Sequence, residues 1–213
     1  VTSLTLAAVP MTVCTSPESL SAPMCAFMKC HWFPFFVWCI SGSLSPLLFL
    51  VELGAAIKVA SMIVPCFMAK WNAALPGCSG HVHMSLWKDG VNQLSDGKGG
   101  MSRTLERAVA GQLALMPELT AVVAPTVNAY KRMVEGAWAP TAATWGVENR
   151  TTALRAIPGS PKATRIEYRQ AAADMNPYLA MAAAVGSALW GIEHGLSPPP
   201  PVQGNAYQAS GAP

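Results

Sequence analysis

Two histidines one residue apart, His81 and His83, stand in the alternating run HVHMSLW at 81–87. Such alternation predicts a strand, and on a strand positions i and i+2 face the same side. Two imidazoles on one face can ligate a metal or bracket a nucleotide; surface histidines that do neither give the same pattern. A second pattern is RIEYR at 165–169. Arg165, Glu167 and Arg169 share one strand face, Ile166 and Tyr168 the other. The apolar face implies burial. The charged face reads in two ways. It is a solvated surface with ion pairs worth little, or a carboxylate metal ligand flanked by guanidiniums whose planar forks match carboxylate and phosphate oxygens. A third group is Arg132 in YKR at 130–132, Arg150 after Asn149, and Arg155, all set among Ala, Thr and Pro. Arginine concentrated in a chain with only 12% charged residues suggests a polyanionic ligand such as a nucleoside triphosphate. Arg150 and Arg155 have opposite parity, so only a bulge or loop aims both at one ligand.

The elements that must hold these residues can be outlined. Residues 55–64 read as a short helix ended by Pro65, and 66–71 as a strand. Residues 77–80, 89–90 and 95–100 are turn-rich. Ser102 is an N-cap for a helix through Met116, with Leu105, Val109, Leu113 and Met116 at helical spacing. Residues 118–124 extend that helical region. Strands follow at 153–157 and 164–169. Asn176 with Pro177 marks the start of a last helix, which runs to about His194 and stops at Gly195. Residues 197–201 and the Gly/Ala/Ser-rich end read as an extended, mobile tail. No internal repeat is present, and the mixture is α+β.

Composition limits the alternatives. The chain has 213 residues, 52% of them apolar, with a net charge of +3. That excludes a disordered polyelectrolyte and argues against nucleic acid as the partner. Charge is unevenly spread: Glu18, Lys29, Glu52 and Lys58 are the only charged residues before position 61. No cysteine pair has CxxC spacing, so neither a structural zinc site nor a redox pair is indicated. Residues 32–53 form a mostly apolar run long enough to span a bilayer, interrupted by Pro34 and Pro46. The composition changes near residue 55. Residues 1–54 are therefore read as an atypical apolar segment outside the main fold, 55–196 as the folded domain, and 197–213 as a Pro/Gly-rich tail. The expected location is cytoplasmic, with membrane association through residues 32–53 as the alternative.

Five segments, GHVHMSLW (80–87), PTVNAYKR (125–132), WGVENRTTALRAIP (145–158), KATRIEYR (162–169) and DMNPYLAMAAAV (174–185), together resemble the C-terminal half of the glutamine synthetase catalytic domain. The look is nearest to the γ-glutamyl–amine ligases of that family. The resemblance implies an antiparallel partial barrel with packed helices. It also implies an ATP-dependent ligase that joins the γ-carboxylate of glutamate to ammonia or an amine through γ-glutamyl phosphate. By the same resemblance His81 and Glu167 bind Mg²⁺ or Mn²⁺. His83, Ser85, Arg150, Arg155, Lys162 and Arg165 fall at ATP, with Arg150 catalytic at the transferred phosphoryl group. Gly77, Arg132 and Arg169 fall at glutamate. The family assembles homo-oligomeric double rings, an assembly not expected of this chain alone.

Two departures stand out. Ammonia-using relatives carry a glutamate six residues after the arginine matched by Arg132; here that residue is Trp138. An apolar or cation–π wall replaces a carboxylate, which points to an amine larger than ammonia. Pro76 stands where the family has an asparagine, so an amide contact to glutamate is lost. The family's N-terminal domain and further metal-binding glutamates have no counterpart before Gly54. The chain alone is therefore expected to be inactive or nearly so, and the other reading is a non-catalytic relative with a structural or binding role.

Overall fold

The sheet is assembled on the strand that carries the paired histidines. The computed structural model describes Thr2–Ala8 and residues 67–208, and Thr2–Ala8 falls in one compact unit with residues 68–208. The backbone of β1 (Thr2–Ala8) pairs antiparallel with β2 (Val82–Lys88). β2 turns into the short β3 (Val91–Asn92) through Asp89 and Gly90, with φ of 50° and 77°. That is the mirror-image turn whose twist matches paired strands and which Asp-Gly tolerates. On its other side β2 pairs with β6 (Arg165–Tyr168), β6 with β5 (Leu154–Ile157), and β5 with β4 (Trp145–Val147), giving the order β1-β2-β6-β5-β4. The result is an open sheet in which only β4 and β5 run parallel.

Three helices complete the α+β fold. α1 (Arg103–Val123) starts at Ser102, whose hydroxyl accepts from the Leu105 N–H. It continues past Met116 and through Pro117, as the reading of 118–124 anticipated. α2 (Val127–Tyr130) is a single turn capped by Thr126. α3 (Pro177–Glu193) is capped by the Asn176 carboxamide oxygen and ends before Gly195, which has φ +62°. α1 and α3 cross at Gly111 and Gly191, where a Cβ on either residue would fall on the other helix. One sheet face, with Val82, Met84, Leu154, Ala156, Ile166 and Tyr168, packs on Leu105, Val109 and Met116 of α1 and Ala180, Ala184 and Ala188 of α3. This dry side leaves the opposite face to the charged residues.

Two expectations change. Residues 67–71 form no strand. The Lys70 N–H donates to Asn128 Oδ1 at 2.7 Å, and the Asn128 amide donates to the Lys70 carbonyl at 2.8 Å. A side chain has taken both backbone groups that a ladder would need. Residues 197–208 are extended, but they are tied down along much of their length. Val202 N–H donates to the Trp145 carbonyl at 2.8 Å, Trp145 Nε1 to the Pro199 carbonyl at 2.7 Å, and Ala206 N–H to Thr151 Oγ1 at 2.9 Å. The segment ends in a 3₁₀ turn, Ala206–Gln208. The helix expected over 55–64 and the apolar run at 32–53 lie outside the described residues. Among the described residues no helix is long and apolar enough to cross a membrane.

Candidate functional site

Strand register brings the charged residues together. His83 on β2 stands opposite Glu167 on β6, and Glu167 stands opposite Arg155 on β5. Cross-strand partners share a face, so one row carries an imidazole, a carboxylate and a guanidinium on the side away from the helices. Glu167 is the hub. Its Oε1 lies 2.8 Å from His81 Nδ1 and 2.8 Å from Arg169 NH1, and its Oε2 lies 3.2 Å from Arg155 NH1. His83 Nε2 is 3.9 Å from Oε1. Glu167 and Arg169 are only 3% and 5% exposed. The solvated-surface reading of RIEYR therefore fails: both faces of this strand are covered, one by apolar and one by ionic partners.

Burial alone would raise the Glu167 pKa. The His81 hydrogen bond and the neighbouring Arg169 guanidinium, with smaller contributions from the two imidazoles, outweigh it and bring the carboxyl down to about 2. His83 goes the other way. Burial is the main cause that lowers its pKa to about 4; Glu167 opposes it, and the neighbouring Arg165, His81 and Arg155 add to it. Arg165 Nε donates to His83 Nδ1 at 3.2 Å, as fits a neutral imidazole. Between pH 6.5 and 4 the unfolded chain therefore binds a proton at His83 that the folded chain refuses. Stability is expected to fall as pH drops through that window. Urea unfolding at pH 7.5 and pH 5 should show a larger loss for the native chain than for His83→Gln; equal losses would contradict the buried, neutral assignment.

The remaining arginines are placed by loops. Residues 148–153 return the chain to run parallel with β4 instead of making a hairpin, and Asn149 closes the turn by accepting from the Thr151 N–H at 3.0 Å. Arg150 thus lies in a loop and Arg155 on a strand, so the two do not share one straight strand. Arg155 spans two carboxylates, Glu167 and Glu148, the second in a very close ion pair. Glu148 has φ +53°, a strained conformation for a non-glycine residue. Arg150 is exposed and, with Glu148, Asn149, Thr151 and Trp138, lines a cavity of about 410 Å³. Trp138 is 62% exposed, also at positive φ (+58°).

Arg132 lies deeper. It is 2% exposed, its NH2 donates to the Gln170 and Ala171 carbonyls at 3.0 Å each, and its Nε has no partner. Burial lowers its pKa to about 10, with Cys78 and Asp174 opposing and Arg169 contributing. Its aliphatic stem lies over Gly77, where an added Cβ would stand 2.7 Å from Arg132 Cγ. Ser85 accepts from Trp87 Nε1 at 2.9 Å, and Lys162 is exposed in the turn before β6. The strands thus unite His81, His83, Arg155, Arg165, Glu167 and Arg169. Arg150 joins by a loop, and Arg132 with Gly77 forms a separate buried contact.

A divalent ion would need more than His81 and Glu167. Among the described residues no group of three His, Cys, Asp or Glu side chains can hold a metal. The Glu167 oxygens are already engaged by one histidine and two arginines. The described residues do not fit a metal centre, and no step below runs through one. Glu148 was not singled out from the sequence. Only the parallel return after β4 brings it to Arg155, and strand periodicity carries no trace of that.

The unit is α+β, and its buried carboxylate–arginine row lies beside an exposed loop arginine, a guanidinium set whose geometry suits phosphate or carboxylate oxygens. Residues 57–213 match the family described as glutamine synthetase, catalytic domain, and the chain belongs to that family. It is similar to type-1 glutamine synthetase 2 of Dictyostelium discoideum, at 46% identity over 157 residues, 70% of this chain and 30% of the relative. It is 47% identical over 144 residues to gamma-glutamylethanolamide synthetase of Streptomyces coelicolor, covering 67% and 30%. It is 43% identical over 147 residues to a glutamate–isopropylamine ligase of a Pseudomonas species, covering 68% and 32%. The chain spans about a third of the length of the curated relatives it matches.

Proposed function

We propose that this chain is part of an ATP-dependent ligase that joins the γ-carboxylate of glutamate to an amine larger than ammonia. The observation that carries the reading is the row His83–Glu167–Arg155, in which the buried Glu167 is ion-paired to Arg155 and flanked by a neutral His83, with Arg150 in the loop beside it. Two carboxylates hold Arg155 so that its guanidinium keeps one orientation, and Arg150 stays free to meet a phosphoryl group. In the first step the γ-carboxylate attacks the terminal phosphorus of ATP and ADP leaves. In the second the amine displaces phosphate and loses a proton. The chain's own contribution is to position the partners and to neutralise charge that builds on the transferring oxygens, the work fixed arginines do in phosphoryl transfer. Arg132, Gly77 and Arg169 are assigned to the glutamate side. His83, Ser85, Lys162 and Arg165 are assigned to the nucleotide.

Trp138 supports the choice of amine. By the resemblance it stands in the sequence where ammonia-using relatives have a glutamate, and it walls the cavity beside Arg150. Two of the relatives above are named for ethanolamide and isopropylamine products or substrates, not for ammonia. A second reading, a non-catalytic relative with a binding role, is favoured by the missing third metal ligand among the described residues. Phosphate release from ATP and glutamate with a panel of amines separates the readings. Stimulation by alkylamines above that by ammonium is the expected result. Preference for ammonium would overturn the choice of amine; because the chain alone is expected to be nearly inactive, the non-catalytic relative is told apart by ATP binding, whose absence would favour it.

A further inference from the structure

Arg150 stands between two residues that the C-terminal segment holds. Asn149 and Thr151 are half-buried, and Arg150 between them is exposed. Asn149 uses its whole carboxamide. Its Oδ1 accepts from the Thr151 N–H at 3.0 Å and from the Thr151 hydroxyl at 2.7 Å, and its Nδ2 donates to the Gly204 and Val202 carbonyls at 2.8 and 3.2 Å. On the other side of Arg150, Thr151 Oγ1 accepts from the Ala206 N–H at 2.9 Å. The Asn149 carbonyl is taken as well, by the Thr152 hydroxyl at 2.9 Å. The turn that carries Arg150 is thus closed on itself through Asn149 and tied at both flanks to residues 202–206.

The segment that holds the turn is stiff and anchored. Residues 198–201 are four consecutive prolines, whose rings fix φ and favour an extended chain without internal hydrogen bonds. The Pro199 carbonyl and the Val202 N–H are both bonded to Trp145, just before the loop. Strand, loop and segment lie so close at Gly146 that an added Cβ would stand 2.8 Å from Asn149 Cβ and 3.0 Å from the Val202 carbonyl. Val202, Gln203 and Gly204 also line the cavity of about 410 Å³ that Arg150 lines. An arginine on a free loop loses much conformational freedom when it grips an anion; one on a clamped loop has less to lose. We infer that Asn149 is the positioning residue of Arg150, and that residues 198–206 act through it and Thr151 as a strap that holds the guanidinium at the shared cavity. The inference rests on the ligase reading, since it takes ATP as the ligand of Arg150.

Calorimetric ATP titrations of the full native chain, Asn149→Ala, Arg150→Ala and the double variant test it. Asn149→Ala is expected to weaken ATP binding about 5-fold where Arg150 is present and less than about 2-fold where it is not, since residues that act as one unit do not add. A merely structural role would cost the same in both backgrounds, so equal losses, or no loss, would overturn the inference. Thr151→Val cuts the tie to Ala206 at the other flank and is expected to weaken binding in the same way. Thr151→Ser keeps the hydroxyl and should bind as the native chain does. Native affinity in Thr151→Val would also overturn the inference. The heteronuclear NOE of the Arg150 backbone amide reads the strap without ATP. It is expected to match the sheet in the native chain and to drop in Asn149→Ala and Thr151→Val; an unchanged value overturns the strap whatever ATP does. A native chain that binds no ATP sinks the ligase reading, and the amide then decides on the strap alone.

Discussion

Glu167→Gln is expected to destabilise the chain by about 4 kcal/mol, the range seen when one partner of a buried ion pair is removed. Glutamine keeps the shape and one acceptor oxygen, so the loss isolates the charge. Arg155 and Arg169 would then sit within reach of each other around a neutral amide. Their Nε atoms already have no partner, so neither guanidinium has slack to recover the lost interaction. His81 would lose its ionic partner at 2.8 Å, keeping only Ser79 Oγ at 3.1 Å. Domains of this size have about 5–15 kcal/mol to lose, so the variant should unfold at a much lower urea concentration with an unchanged slope. A loss below about 1 kcal/mol would mean that the row is solvated and its partners interchangeable.

Gly77→Ala is expected to cost about 3 kcal/mol through overpacking, and about 10 °C in melting temperature. The new Cβ would stand 2.7 and 2.8 Å from Arg132 Cγ and Cδ, and also against the Ala69 carbonyl. Neither neighbour can yield freely. Ala69 is fully buried and its carbonyl accepts from the Cys78 N–H at 2.8 Å. The next residue, Lys70, is clasped by Asn128. Arg132 can move only by giving up the Gln170 and Ala171 carbonyls, which would leave buried acceptors unpaired. Scanning calorimetry of the native chain and the variant measures the effect. A shift under 2 °C would show that the Arg132 stem moves aside at little cost.

The parts of the site that follow a period of two were legible. RIEYR places Ile166 and Tyr168 in the core because alternate residues of a strand face opposite ways, and the same parity puts Arg165, Glu167 and Arg169 together on the other face, though not what that face does. The caps Ser102 and Asn176 were legible because each supplies a local acceptor to the first helical turn. The opposite parity of Arg150 and Arg155 ruled out one straight strand carrying both to the same side, and Arg150 lies in the loop 148–153 before β5. What escaped depends on contacts between distant residues. Residues 66–71 carry the composition of a strand, but Asn128, far along the chain, takes the backbone groups of Lys70. The C-terminal segment reads as a loose tail until Trp145, Asn149 and Thr151 are found beneath it. Glu148 carries no periodic signal, since it sits in a loop. Its partner is set by where that loop returns.

Calorimetric titration of the chain with ATP in magnesium-containing buffer, alongside Arg150→Ala, bears most directly on the ligase reading. Arg150 is exposed and outside the buried row, so its removal should leave the fold intact. The expected result is saturable ATP binding that Arg150→Ala weakens by about 10-fold or more, the scale of one charge-assisted contact to phosphate. Absence of ATP binding by the folded native chain, or equal binding by the variant, would contradict it.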